Sequence, residues 1–90
     1  MQKWEYCLIA MNHAKKRSLL VEYKADGVQR HVLKRDKSMG DEDYADAACR
    51  KIGALGLEGW EMVNTSLTSR KGDKVILRYM FKRPVVESKR

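Results

Sequence analysis

Ninety residues make one domain, and a domain of that length buries only ~60–65 % of the surface its unfolded chain exposes, so self-association is a natural supplement to its stability. Nineteen Lys and Arg against 12 Asp and Glu give a net charge of +7, a balance that favours acidic partners such as nucleic acid, nucleotides or anionic protein surfaces. No apolar run approaches the ~18 residues of a membrane span, and the widely spaced Cys7 and Cys49, behind an N-terminus without the apolar run of a secretion signal, predict a reduced, cytoplasmic protein with no membrane partner.

The first strand is predicted over residues 3–11, rich in aromatic and branched side chains and closed by the polar cluster Asn12 to Ser18. Trp4, Tyr6 and Leu8 point one way along it and Cys7, Ile9 and Met11 the other, and neither set is polar. Leu19 to Lys24 and Val28 to Arg35 flank Ala25-Asp26-Gly27, whose Asp-Gly pair can supply the positive φ of a tight hairpin, so they read as the second and third strands.

Tyr44, Ala45, Ala48, Ile52 and Leu55 then recur at spacings of three and four, predicting a helix from about Asp41 to Leu55. Asp41, Glu42, Asp43 and Asp46 crowd its start, where the helix dipole favours negative charge, and leave +11 on the rest of the chain. Ser38 with Asp41 resembles a capping box, and Asp41 is itself a candidate cap. Gly56 is expected to end the helix in a left-handed conformation, with Leu57 folding back onto the last turn and Gly59 turning the chain into a fourth strand, Trp60 to Leu67. After a turn at Arg70-Lys71-Gly72-Asp73, Lys74 to Arg83 alternates as a fifth strand, with Val75, Leu77, Tyr79 and Phe81 on one face and Ile76, Arg78, Met80 and Lys82 on the other. Pro84 stops it, and residues 85–90 read as a flexible tail behind a single domain spanning 1–84.

The fold class expected from these elements is α+β: an antiparallel sheet of about five strands, ordered β-β-β-α-β-β along the chain and packed on one helix. The expected core is Tyr44, Ala48, Ile52, Leu55 and Trp60 against Val75, Leu77, Tyr79 and Phe81.

Trp4-Glu5-Tyr6, Leu55-Gly56-Leu57-Glu58-Gly59-Trp60-Glu61-Met62-Val63 and Tyr79-Met80-Phe81-Lys82-Arg83-Pro84 together resemble the family catalogued as domain of unknown function 4177, over roughly residues 3–10 and 52–84. The resemblance implies a compact bacterial or phage domain with strands on one helix, and it implies no activity. Physically, the middle motif reads as a helix stop and chain reversal capped by a large aromatic, Trp60.

No enzyme is expected. The histidines are His13, in a predicted loop, and His31, in a strand; no Cys-x-x-Cys pair, His-x-x-x-His, Gly-x-Ser-x-Gly elbow or phosphate-cradling glycine loop is present, and no cofactor or metal is implied. Cys49 lies at helical spacing between Ala45 and Ile52 and reads as a small core residue, as does Cys7. A spatial arrangement of Cys7, His31 and a carboxylate is the one catalytic constellation the inventory leaves open.

The chain therefore reads as a binding or interaction module. Arg30, Lys34, Arg78 and Lys82 are the candidate binding residues, because their strands place them beside apolar neighbours; whether their faces coincide is not decided by sequence. Candidate partners are nucleic acid, tracked by basic hairpins, or a small anionic ligand such as a nucleotide held between subunits. Trp4, Tyr6, Trp60, Tyr79 and Phe81 are assigned to the core, leaving mainly Tyr23 for stacking. A homo-oligomer, with a dimer favoured, is expected through sheet surface that one helix cannot cover, with Ile9 and Ile76 in the contact.

Overall fold

The computed structural model of the chain describes residues 1–34, 43–70 and 74–85. Five strands and one helix follow in the expected order: β1 Trp4–Asn12, β2 Arg17–Lys24, β3 Gly27–Val32, α1 Tyr44–Leu57, β4 Glu61–Arg70 and β5 Lys74–Pro84. The strands form one antiparallel sheet in the spatial order β3-β2-β1-β5-β4. The protein is an α+β domain.

The described connections have local causes; Lys71, Gly72 and Asp73 of the expected last turn lie outside the described residues. Between β1 and β2 the Asn12 side-chain oxygen accepts from the Lys15 amide at 3.1 Å, a turn that Asn makes with its own backbone, and Lys16 takes a φ of 50°. The β2–β3 hairpin closes with Lys24 paired to Gly27, where Gly27 alone supplies a positive φ. The third strand ends at Val32, although the Leu33 amide still donates to the Ser18 carbonyl of β2 at 2.9 Å, and Arg35 lies outside the described residues.

Helix α1 starts later than its acidic cluster suggests. Asp43 is the N-cap, accepting from the Asp46 amide at 2.8 Å, while the Asp46 carboxylate accepts from the Asp43 amide at 3.2 Å, a reciprocal capping box shifted from the expected one. Ser38 and Asp41 lie outside the described residues.

The helix ends later too. Gly56 remains helical; Gly59 takes the left-handed conformation at φ 87°. The Trp60 amide donates to the Leu55 carbonyl at 3.0 Å and the Gly59 amide to the Gly56 carbonyl at 3.1 Å, the paired bonds of a Schellman stop. Leu57, expected to fold back, stands in solvent, 93 % exposed, because the stop directs Trp60 rather than Leu57 onto the core.

The helix lies across β1 and β2. Beneath it the core gathers Cys7, Ile9, Met11, Leu20, Ala48, Leu55 and Phe81, with Ile52, Trp60, Leu77 and Tyr79 packed at its margin. Of the expected core, Ala48, Leu55 and Phe81 lie in the cluster and Ile52, Trp60, Leu77 and Tyr79 against it, while Tyr44 and Val75 do not join it; its centre belongs to β1, which occupies the middle of the sheet. Ile9 is fully buried here, so it does not share a face with Ile76, its expected companion in a dimer contact. Cys49, expected in the core, is exposed; Ala47 and Ala48 fill that position instead.

A corner of this face joins the three motif segments. The Arg83 guanidinium donates to the Glu5 carboxylate, reaches the Glu58 carbonyl at 3.2 Å, and lies 4.3 Å from the centroid of the Trp60 ring. It fastens β1, β5 and the helix stop together. Val85 extends this edge by donating to the Lys3 carbonyl at 2.9 Å; residues 86–90 of the expected tail lie outside the described residues.

Candidate functional site

Among the described residues no helix or strand covers the opposite face of the sheet, and the register fixes what lies on it. Tyr6 sits opposite Tyr23 and Lys82, and Tyr23 opposite Val28, which forms one row across four strands. The next row runs Arg30, Val21, Leu8, Met80 and Asn64. The third runs Val32, Leu19, Ala10, Arg78 and Ser66, and beyond it Arg17 pairs with Asn12.

Arg30, on β3, and Arg78, on β5, are therefore three strand spacings apart, roughly 14 Å at the backbone. Both residues nevertheless line one concavity of about 350 Å³, together with Arg17. Its floor is apolar: Leu8 and Val21 are only 7 % exposed although no element lies above them, as expected when long neighbouring stems fold over a sheet. A second, open hollow of about 310 Å³ between Tyr6, Tyr23 and Met80 adjoins it and is lined by no charge.

Charge is segregated between the two faces. The acidic residues of β1 and β2, Glu5 and Glu22, alternate onto the helix side, where Glu22 meets Lys24 at 3.5 Å and Glu5 meets Arg83. On the open face Glu61 pairs with Lys82 at 3.9 Å, and among the described residues no carboxylate lines the concavity. Lys82 also stands over Trp4, its Nζ 4.2 Å from the ring centroid.

Of the candidate binding residues, Arg30, Arg78 and Lys82 thus share a face. Lys34 follows the end of β3, outside the paired rows and outside the concavity's lining, and its carbonyl accepts from Arg50 Nη2 on the helix at 3.3 Å. Arg17, a basic residue of the sequence outside the four candidates, joins the concavity, and its two-residue phase with Leu19, Val21 and Tyr23 is readable in the sequence. The assignment of Trp4 and Tyr6 to the core is overturned. They are 40 % and 44 % exposed, alongside Tyr23 at 41 %, because the helix takes the other face of β1.

The catalytic constellation left open by the sequence is dismantled by its own geometry. His31 Nε2 approaches Glu22 Oε1 at 3.9 Å, and Glu22 is the cross-strand neighbour of Cys7. Yet the Cys7 thiol is 1 % exposed, and burial, aided by the Glu22 carboxylate, pushes its pKa up from 9.0 to about 11. A thiol that stays protonated and sealed is no nucleophile at neutral pH. His13 is occupied otherwise, its Nδ1 hydrogen-bonded to the Tyr44 hydroxyl in an edge-on ring pair.

Among the described residues no helix is long and apolar enough to cross a membrane. Comparison with protein-family models, with curated proteins and with solved structures gives no match.

Proposed function

We propose that this chain is a non-enzymatic binding module that self-associates through sheet surface its helix leaves uncovered and presents a basic face to an acidic partner. The observation that carries this reading is the division of the sheet into two unlike surfaces. The open face gathers Arg17, Arg30, Arg78 and Lys82 around apolar side chains, with Glu61 as its one acid among the described strand residues. The helix side of β4, with Leu77 next to it on β5, lies beyond the helix and is uncharged among the described side chains: Met62 and Leu67 are 42 % and 62 % exposed, with Thr65 between them and the half-buried Leu77 beside Leu67.

Electrostatics assigns the two roles. Stacking two copies through their open faces opposes like charges on an apolar floor, whereas the overhang of β4 and β5 adds apolar burial with no such repulsion. A reducing, cytoplasmic setting suits the two free thiols. Membership in the resembled family belongs to the same proposal, supported by the meeting of its three motif segments at Glu5, Trp60 and Arg83.

Light scattering at micromolar concentration tests self-association: a mass near twice 10.4 kDa is expected, and a mass near 10.4 kDa contradicts it. Heparin, a polyanion without bases, tests the basic face, and its affinity should fall in Arg30→Gln and Arg78→Gln. A second reading, a nucleotide held between subunits, is supported by the concavity beside Tyr6 and Tyr23 only where copies meet through their open faces; a nucleotide-dependent rise in melting temperature distinguishes it.

A further inference from the structure

The open face offers aromatic rings as well as positive charge. Tyr6 and Tyr23 stand opposite one another on neighbouring strands, both over 40 % exposed, with Met80 completing the uncharged hollow between them. Trp4 stands exposed one alternation further along β1, with Lys82 over its ring. Arg30 one row away and Arg78 two rows away line a concavity to which no carboxylate among the described residues contributes. We propose that this face binds single-stranded nucleic acid, with bases stacked on Tyr6 and Tyr23 and phosphates following Arg30, Arg78 and Lys82; the inference rests on the basic-face reading above.

The chemistry selects this partner among polyanions. An acidic peptide pairs with the cations but has no flat π-surface for the exposed rings. A duplex presents phosphates while its base faces are stacked within, where rings fixed on a sheet surface do not reach them. A single strand offers both groups along one chain, and every base has a π-face, so stacking with charge neutralisation gives affinity with little sequence preference. Five strands span four spacings, roughly 19 Å, room for about four nucleotides and the small end of sites of this kind.

Fluorescence anisotropy of a labelled oligothymidine of about twelve nucleotides, titrated with the full chain at ~50 mM salt, tests the proposal. Saturable binding is expected. Tyr6→Ala and Tyr23→Ala should each weaken it about tenfold while Tyr23→Phe, which keeps the ring, retains it. Arg30→Gln and Arg78→Gln should each reduce the slope of log affinity against log salt by about 0.7. The proposal is overturned by undetectable binding at that salt, by Tyr→Ala variants that bind like the parent, or by a duplex or ATP bound as tightly as the oligomer. Heparin separates the two levels of the argument: heparin binding that depends on Arg30 and Arg78, without oligothymidine binding, leaves the basic-face reading standing and removes this one, and binding of neither removes both.

Discussion

Phe81 shows how much of this fold hangs on single side chains. It is 2 % exposed, sits opposite Cys7 on the central strand, and meets the helix at Ala48 and Leu55 in one cluster. Truncating it to Ala removes a large apolar volume from a small core, so Phe81→Ala should lower stability by ~3–5 kcal/mol, and urea melts showing a loss below ~1 kcal/mol would mean that the core is elsewhere. Cys7, its neighbour, links the core to pH. Because its folded pKa is raised from 9.0 to about 11, the stabilisation is fully present below pH 9 and is lost as pH rises toward about 11, where only the unfolded thiol ionises at first. Denaturation curves across that window should fall more steeply for the parent than for Cys7→Ala; parallel pH dependences would contradict a sealed thiol.

The helix boundaries show what sequence reasoning can and cannot settle at the level of elements. Periodicity over Tyr44, Ala48, Ile52 and Leu55 predicts the helix itself, because one apolar stripe suffices to define it. It does not decide which of several acids caps the start or which of two glycines ends it, since Asp41, Asp43, Gly56 and Gly59 are all chemically competent. The hydrogen bonds of Gly59 and Trp60 decide the second question. No side chain lies within 4 Å of a Cβ added at Gly56 or Gly59, so backbone conformation alone governs substitution there. Gly56→Ala should therefore stabilise by ~0.5–1 kcal/mol, whereas Gly59→Ala, forced to φ 87°, should destabilise by ~1–2 kcal/mol; the opposite order in thermal melts would restore the earlier helix end. The five strands are legible for the same reason as the helix, in their two-residue alternation. Their spatial order is not, because alternation fixes two faces of each strand without naming its neighbours. That gap is why Arg30 and Arg78 are readable as candidates while the single concavity they line with Leu8 and Val21 is not, and why alternation alone puts Trp4 and Tyr6, on a strand with two apolar faces, in the core.

At the scale of the whole molecule, the helix is too small for its sheet. It shelters β1 and β2, and among the described residues nothing covers the helix side of β4 or the opposite face of the sheet. The bare overhang is apolar and the opposite face cationic, so the same shortage of cover has two different consequences: one surface gains by meeting its own copy and the other by meeting an anion. Mass measured by light scattering on two paired variants tests that division most directly. Met62→Lys with Leu67→Lys changes exposed side chains of β4 and should reduce the mass from near twice 10.4 kDa to near 10.4 kDa, while Tyr6→Lys with Val32→Lys, equally exposed on the open face, should leave it doubled. A mass that falls in the second pair and persists in the first would contradict the account.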